Sequence, residues 1–346
     1  MKFTMRKPKI GLWGLALILA ALLAVTSQAF AFRFVVLADS PDNETNKTAF
    51  NQNALEYVRD RILNMNPQPD MIFFLGDLVT KAKGKVGDLD NQPFLPLWKE
   101  VMRPIAQAGI KIYVAIGNRE LYPVTGWPPI KALEGEFQNY FGYDLDPDFT
   151  MPGNGPDNPY NYKYLAYSVS HENAFFVVLD TFAFKADGLT NWDNGLDAQQ
   201  LAWFQAQATQ STAKYKFVLT HGPAFSPEGW SVDPSLPQTL WGIMQDNHFA
   251  GYFCGHEHIY SRWLIDKSLA PRPTPQITQV LTGSVGALPD QIFKVKQNRN
   301  KVRAFSLYNY VVGDIDGRGA HFQTYGIDLN AGKYSTKVID RFSLAN

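Results

Sequence analysis

The chain has 346 residues, 45% hydrophobic and 18% charged, ordinary globular proportions that allow a large buried core in one big domain or two small ones. Its 32 Lys and Arg balance 32 Asp and Glu, so no basic field marks a nucleic-acid partner and no acidic tail marks disorder. A small molecule is the partner this composition leaves.

The first segment differs from the rest. Lys2, Arg6, Lys7 and Lys9 precede an apolar run from Ile10 to Val25, and Ala29-Phe30-Ala31 supplies the small residues a signal peptidase needs. This predicts a signal peptide over residues 1–31, with a mature chain starting near Phe32 that is periplasmic or secreted. An uncleaved membrane anchor is the competing reading, because the run lies near the short limit of a spanning helix. Cleavage is favoured because the A-x-A site follows the run directly. The single cysteine, Cys254, excludes an internal disulfide and a lipid-carrying cysteine at the cleavage site. An exported chain without disulfides points to a bacterial periplasm.

Short apolar runs follow, each the length of a buried strand and each ending in a polar residue or glycine. They are Arg33 to Ala38 before Asp39, Met71 to Leu75 before Gly76-Asp77, and Lys111 to Ile116 before Gly117-Asn118. Ala174 to Leu179 precedes Asp180, Lys214 to Thr220 precedes His221, and Gly251 to Cys254 precedes Gly255-His256. All are hydrophobic on both faces, as central strands covered by helices should be.

Helical patterns lie between several of them. Phe50, Ala54, Leu55, Val58 and Ile62 recur at helix spacing until Pro67 and Pro69. Asp197 stands where an N-cap belongs, with Gln200 as a capping-box partner, which predicts a helix from Ala198 to Gln207. A third helix is expected from Pro237 to Asn247. The stretch from Tyr122 to Tyr164 is rich in Pro, Gly, Asp, Asn and aromatics with no sustained period, and reads as a loop insertion whose aromatics form a rim around a site. After Gln276 to Thr282, the segments Ser306 to Val312, His321 to Asp328 and Tyr334 to Arg341 alternate like antiparallel strands. Strand-helix alternation predicts an α/β layered fold, and with no linker or repeat, residues 32–346 count as a single domain.

Ligands of open α/β sheets bind beyond the carboxyl ends of strands, and those ends present Asp39, Asp77, Asn118, His221, His256 and His258. Hard oxygen donors and imidazoles at one edge suit one or two divalent or trivalent metals of the Fe, Mn or Zn kind. Taken singly, each residue has a plainer reading: strand-end caps for Asp39 and Asp77, a turn former for Asn118, a hydrogen-bonded core histidine for His221. Their joint position at successive strand ends favours the site.

The order Asp39, Gly76-Asp77, Gly117-Asn118, His221, Gly255-His256-Glu257-His258 resembles the calcineurin-like metallophosphoesterase superfamily. Gly255 to Arg262 and the later Leu281-Thr282-Gly283-Ser284 are closest to its purple acid phosphatase-like branch. The resemblance implies a layered β-sandwich of two mixed sheets flanked by helices, and hydrolysis of a phosphate mono- or diester, small or macromolecular, by a metal-activated hydroxide. It makes Asp77 a bridging carboxylate, completes one metal position with Asn118, His221 and His256, and gives Asp39 and His258 to the other.

The chain departs from the family at three places. The histidine expected two residues after the first aspartate is Pro41, and the tyrosine that purple phosphatases use three residues after the bridging aspartate is Thr80. Asp42, Asn43 or water would have to complete that shell. The family's Asn-His becomes Asn118-Arg119. An arginine cannot act as a general acid near neutrality, but its planar fork can hold phosphoryl oxygens. Arg119 is therefore expected to keep the charge-stabilising half of the role without the proton. A solvated or salt-bridged surface arginine is its plain reading, and Glu120 next to it could replace the missing acid by position, though a structural role is favoured. The alternative function is a degenerate member that binds a phosphate-containing ligand or envelope partner without turnover. Cys254 continues an apolar strand and reads as a buried inert thiol, and Asp180 as a cap. The acidic run Asp187 to Asp197 lacks EF-hand spacing and reads as a solvated loop.

Overall fold

The computed structural model describes residues 32–41, 50–80, 94–122, 129–183, 194–291 and 300–344. The predicted signal segment, Asp42, Asn43 and most of the Asp187 to Asp197 run lie outside them. Among the described residues no helix is long and apolar enough to cross a membrane.

Two mixed sheets face each other. The first has the order β13-β12-β11-β1-β2-β3, built from β1 (Phe32–Leu37), β2 (Met71–Leu75), β3 (Lys111–Ala115), β11 (Tyr308–Ile315), β12 (Ala320–Asn330) and β13 (Lys333–Leu344). The second has the order β10-β8-β9-β7-β6-β5-β4, built from β4 (Tyr167–His171), β5 (Ala174–Leu179), β6 (Tyr215–Thr220), β7 (Gly251–Cys254), β8 (Tyr260–Ile265), β9 (Ile277–Thr282) and β10 (Lys301–Phe305). β1, β2 and β3 run parallel, as do β5, β6, β7 and β9, so their carboxyl ends fall on one edge of each sheet.

Aromatic side chains fill the space between the sheets. The Phe34 ring of β1 meets Phe176, Phe217 and Phe253 of the opposite sheet at centroid separations of 5.1, 5.8 and 6.5 Å. Phe322 of β12 closes the cluster at 5.9 Å from Phe34. Fully burying rings of this size stabilises the fold by about 1.5–3 kcal/mol each, which locks the two sheets face to face and holds their edges in register.

Helices cover the outer faces, as the apolar strand sequences require. α1 (Gln52–Leu63) buries Ala54, Leu55, Val58 and Ile62, and the Asn51 side chain caps it by accepting from the Ala54 amide at 3.2 Å. α2 (Phe94–Gln107) buries Trp98, Val101, Met102 and Ile105; the sequence reading did not single it out. α3 (Lys131–Gln138) lies inside the stretch read as an unpatterned loop. At eight residues it is too short to display a period above its Pro- and Gly-rich flanks.

α4 (Ala198–Gln210) starts at Asp197, which accepts from the Gln200 amide at 2.8 Å. The Gln200 side chain does not complete a capping box. It turns inward to bond the Asp180 amide and carbonyl at 3.1 and 2.8 Å, because the end of a buried strand needs partners more than a helix start open to water. The expected Pro237 to Asn247 helix is a π-turn at Ser235–Leu240 followed by α5 (Trp241–Asp246).

Candidate metal centre

The six predicted ligands meet where the two sheets present their carboxyl edges. Asp39 and Asp77 lie two residues beyond β1 and β2 in left-handed backbone conformations, with φ of 57° and 51°, and His256 two residues beyond β7 has φ of 75°. Such residues cost on the order of 1–3 kcal/mol each and persist where surrounding structure holds them. Here the Asp39 carbonyl accepts amides of Val285, Gly286 and Ala287 at 3.0–3.1 Å, while the Asp39 and Ser40 amides donate to the carbonyls of Gly76 and Asp77. Close approach also dictates glycine: a Cβ on Gly117 would lie 2.4 Å from the Asp77 amide nitrogen and from its Oδ1.

Four donor atoms converge on one point. Asn118 Oδ1 lies 3.0 Å from His221 Nε2 and 2.9 Å from His256 Nδ1, and His221 Nε2 lies 3.2 Å from Asp77 Oδ1. A Leu75 carbonyl 2.7 Å from His221 Nδ1 fixes the ring with Nε2 facing the cluster, the arrangement that orients metal-ligating imidazoles. Asp77 also belongs to a second group with Asp39 and His258, whose donor atoms all lie within 4.8 Å of one another. Asp77 is thus common to both groups, as a bridging carboxylate would be.

The charge pattern fits a cation. Burial pushes the Asp39 carboxyl well above the usual range, and its Oδ1 has no hydrogen-bond partner although fully buried. Burial also opposes ionisation of Asp77, but His221 and Arg119 overcome it and hold that carboxyl well below the usual range. Burial resists a charge on His221, yet Asp77 raises it to about 9. Burial and the neighbouring His221 lower His256 to about 3. One oxygen left orphaned, one imidazole kept neutral and tightly facing O and N donors are the features of a site preorganised for a metal.

Arg119 is not a free surface side chain. Its amide donates to Asp77 Oδ1 at 2.9 Å and its Nε lies 3.3 Å from Asp77 Oδ2, while the side chain keeps 31% exposure. Glu120 points the other way and is fully buried. Its carboxylate accepts the amides of Gly117 at 2.8 Å, Asp77 at 3.0 Å, Leu78 at 2.7 Å and Val79 at 3.3 Å, so it ties the β2 and β3 turns together. This agrees with the structural role expected for it. Asp180 caps the turn after β5 by accepting the Phe182 amide at 2.9 Å, and Cys254 is buried.

Sequence reading missed the residues around the ligands. Phe182 sits 5.5 and 5.2 Å from the rings of His221 and His256. Glu257, between the two histidines, receives the Ser226 hydroxyl and the Glu228 amide. Glu257 stood in the quoted motif, but nothing local indicated where its side chain would go.

A cluster of carboxylate, amide and imidazole donors at the facing edges of two mixed sheets defines a candidate metal-binding sandwich of the α/β class. The chain belongs to the calcineurin-like phosphoesterase family, whose model matches residues 32–260. Members of that family bind divalent metals, and phosphoester hydrolysis is the chemistry it supports in general. Comparison with curated proteins gives no match. Among solved structures, a purple acid phosphatase from yellow lupin (Lupinus luteus) seeds matches with a TM-score of 0.63 at 18% identity, covering 92% of this chain and 54% of that one. The chain therefore spans about half the length of the lupin enzyme. PhoD matches with a TM-score of 0.63 at 14% identity over 90% of this chain and 69% of that one. GAP50 of Plasmodium, described as the anchor in the inner membrane complex, matches with a TM-score of 0.58 at 15% identity over 90% and 88%. These likenesses are of fold.

Proposed function

We propose that this protein is an exported metal-dependent phosphoesterase acting on phosphate mono- or diesters, with Arg119 in the place of the usual histidine. The observation that carries the reading is the convergence of Asp77, Asn118, His221 and His256 within 2.9–3.2 Å contacts, next to the Asp39 and His258 donors. One or two ions of Fe, Mn or Zn held there would supply a hydroxide near neutral pH and neutralise phosphoryl charge. Export rests on the leader-like segment ending at Ala29-Phe30-Ala31.

The chain's own residues have separable tasks. Asp77 balances the positive charge of the cluster, and the Leu75 carbonyl keeps His221 aimed at it. Arg119 is held by its amide on Asp77 Oδ1, its Nε lies 3.3 Å from Oδ2 as an ion pair, and its other guanidinium donors are offered to phosphoryl oxygens. It has no proton to release at neutral pH, so the departing oxygen must leave unassisted or take its proton from another side chain or from water.

Metal analysis of the native protein together with turnover of activated phosphomonoesters and diesters tests the reading. Hydrolysis should accompany bound metal and drop at least about 100-fold in Asp77→Asn. Metal-replete native protein no faster than Asp77→Asn would sink it.

A second reading, binding of a phosphate-containing ligand or an envelope partner without turnover, is favoured by Pro41, Thr80 and Arg119 together. A neighbour of this fold described as an anchor gives it support. If neither added metal nor Arg119→His produces turnover, this second reading gains over the first.

A further inference from the structure

Beside the candidate metal ligands lies a cleft of about 340 Å³ lined by Asn118 and His256 together with Tyr122, Phe182, Trp230 and Val232. Among the described residues that line it, none is a carboxylate, lysine or arginine. The described part of its lining is uncharged and more apolar than polar, unlike a groove built for further phosphates or for a polyanion.

Trp230 is the unusual member. It is 61% exposed, yet the turn carrying it is tightly held. The Ser226 hydroxyl accepts the amides of Gly229 and Trp230 at 2.9 and 2.8 Å and itself donates to the buried Glu257, which also accepts the Glu228 amide at 2.9 Å. Glu257 stands between His256 and His258, so the metal-ligand motif holds the backbone of the turn, and the exposed indole is oriented by its Nε1, which donates to Glu228 Oε2 at 3.1 Å. A large aromatic side chain kept in water by such anchoring is preorganised to cover another flat ring.

The chemistry at Arg119 narrows the choice of ring. With no proton donor in that place, a leaving oxygen that is stable as an anion departs far more readily than an alkoxide. We infer that the cleft formed by Tyr122, Phe182 and Trp230 receives the aromatic ring of a phenol ester, making aryl phosphoesters the substrate class. This rests on the phosphoesterase reading. Hydroxide oxygen bonds to phosphorus as the phosphorus–aryl oxygen bond breaks; the electron pair stays on the phenolate, which then takes a proton from solvent.

Calorimetric titration of the manganese-loaded protein with phenylphosphonate and methylphosphonate tests the cleft without turnover. Native protein should bind the phenyl compound about tenfold more tightly. In Trp230→Ala that ratio should fall to within about twofold, and Trp230→Phe should restore most of it. Equal affinities in the native protein, or a ratio that survives Trp230→Ala, would overturn the aromatic cleft. Turnover then separates two sources of aromatic ring, because adenosine 5′-monophosphate also carries one but departs as an alkoxide. Phenyl phosphate should exceed it by about 100-fold in kcat, and equal turnover would overturn the assignment to phenols. Absence of turnover for every ester would count against the phosphoesterase reading alone, while the phosphonate ratio still decides the cleft.

Discussion

Arg119 is under two opposing demands. Its permanent charge suits a phosphoryl dianion, yet its Nε sits 3.3 Å from the carboxylate that would have to share its own charge with a metal. Replacing it should therefore move two measurements in different ways. Arg119→Gln should bind manganese more tightly, on the order of tenfold by calorimetry, because a cation leaves the neighbourhood of Asp77. Unchanged or weaker binding would mean that the ion pair does not compete with the metal. Arg119→His should instead restore a proton donor, raising kcat about 100-fold on alkyl phosphates while changing aryl phosphates little. A uniform change on both classes would show that position 119 acts through charge alone.

At the scale of elements, the site depends on two strand-end turns being held together, and Glu120 does this with four accepted amides from Gly117, Asp77, Leu78 and Val79. In Glu120→Gln one of the two acceptor oxygens becomes an NH₂ group facing amide donors. The cost should be about 1–3 kcal/mol from buried donors left without partners, seen as a lower melting temperature and weaker manganese binding. A variant as stable as the native chain would show that the turns are held by other means. The strands themselves were readable because each is apolar on both faces and stops at a polar residue, and Met71–Leu75, Ala174–Leu179 and Gly251–Cys254 coincide with the runs seen in the sequence. The candidate ligands could be picked out for the same reason, since each follows a strand by a few residues. The aromatic cleft was not. Tyr122, Phe182 and Trp230 come from three separate loops with no common period, and only the closing of the two sheets brings them together. α3 was hidden by its shortness, and the inward turn of Gln200 by a tertiary partner, the backbone of Asp180, that no local pattern announces.

For the whole molecule, the division of the ligands between the sheets has a thermodynamic consequence. Asp39, Asp77 and Asn118 follow strands of the first sheet, whereas His221, His256 and His258 follow strands of the second. A metal held by both sets would bind only when the sheets are packed face to face, so its binding free energy adds to that packing. At a manganese concentration 100 times Kd, the added stability is about 2.7 kcal/mol, which for a chain of this size raises the melting temperature by about 5 °C. The orphaned Asp39 Oδ1 and the repulsion between buried acids argue the same sign, because an ion relieves both. Scanning calorimetry with manganese and with EDTA should show this rise in the native chain. The rise should disappear in the triple variant His221→Ala, His256→Ala, His258→Ala, which leaves the first sheet's ligands intact but removes every link to the second. If the variant keeps the full shift, the ion is held by one sheet alone and the inter-sheet centre is wrong. If the native chain shows no shift while calorimetric titration still detects bound manganese, the ion binds unfolded and folded chains alike, and the site is not the preorganised one its geometry indicates.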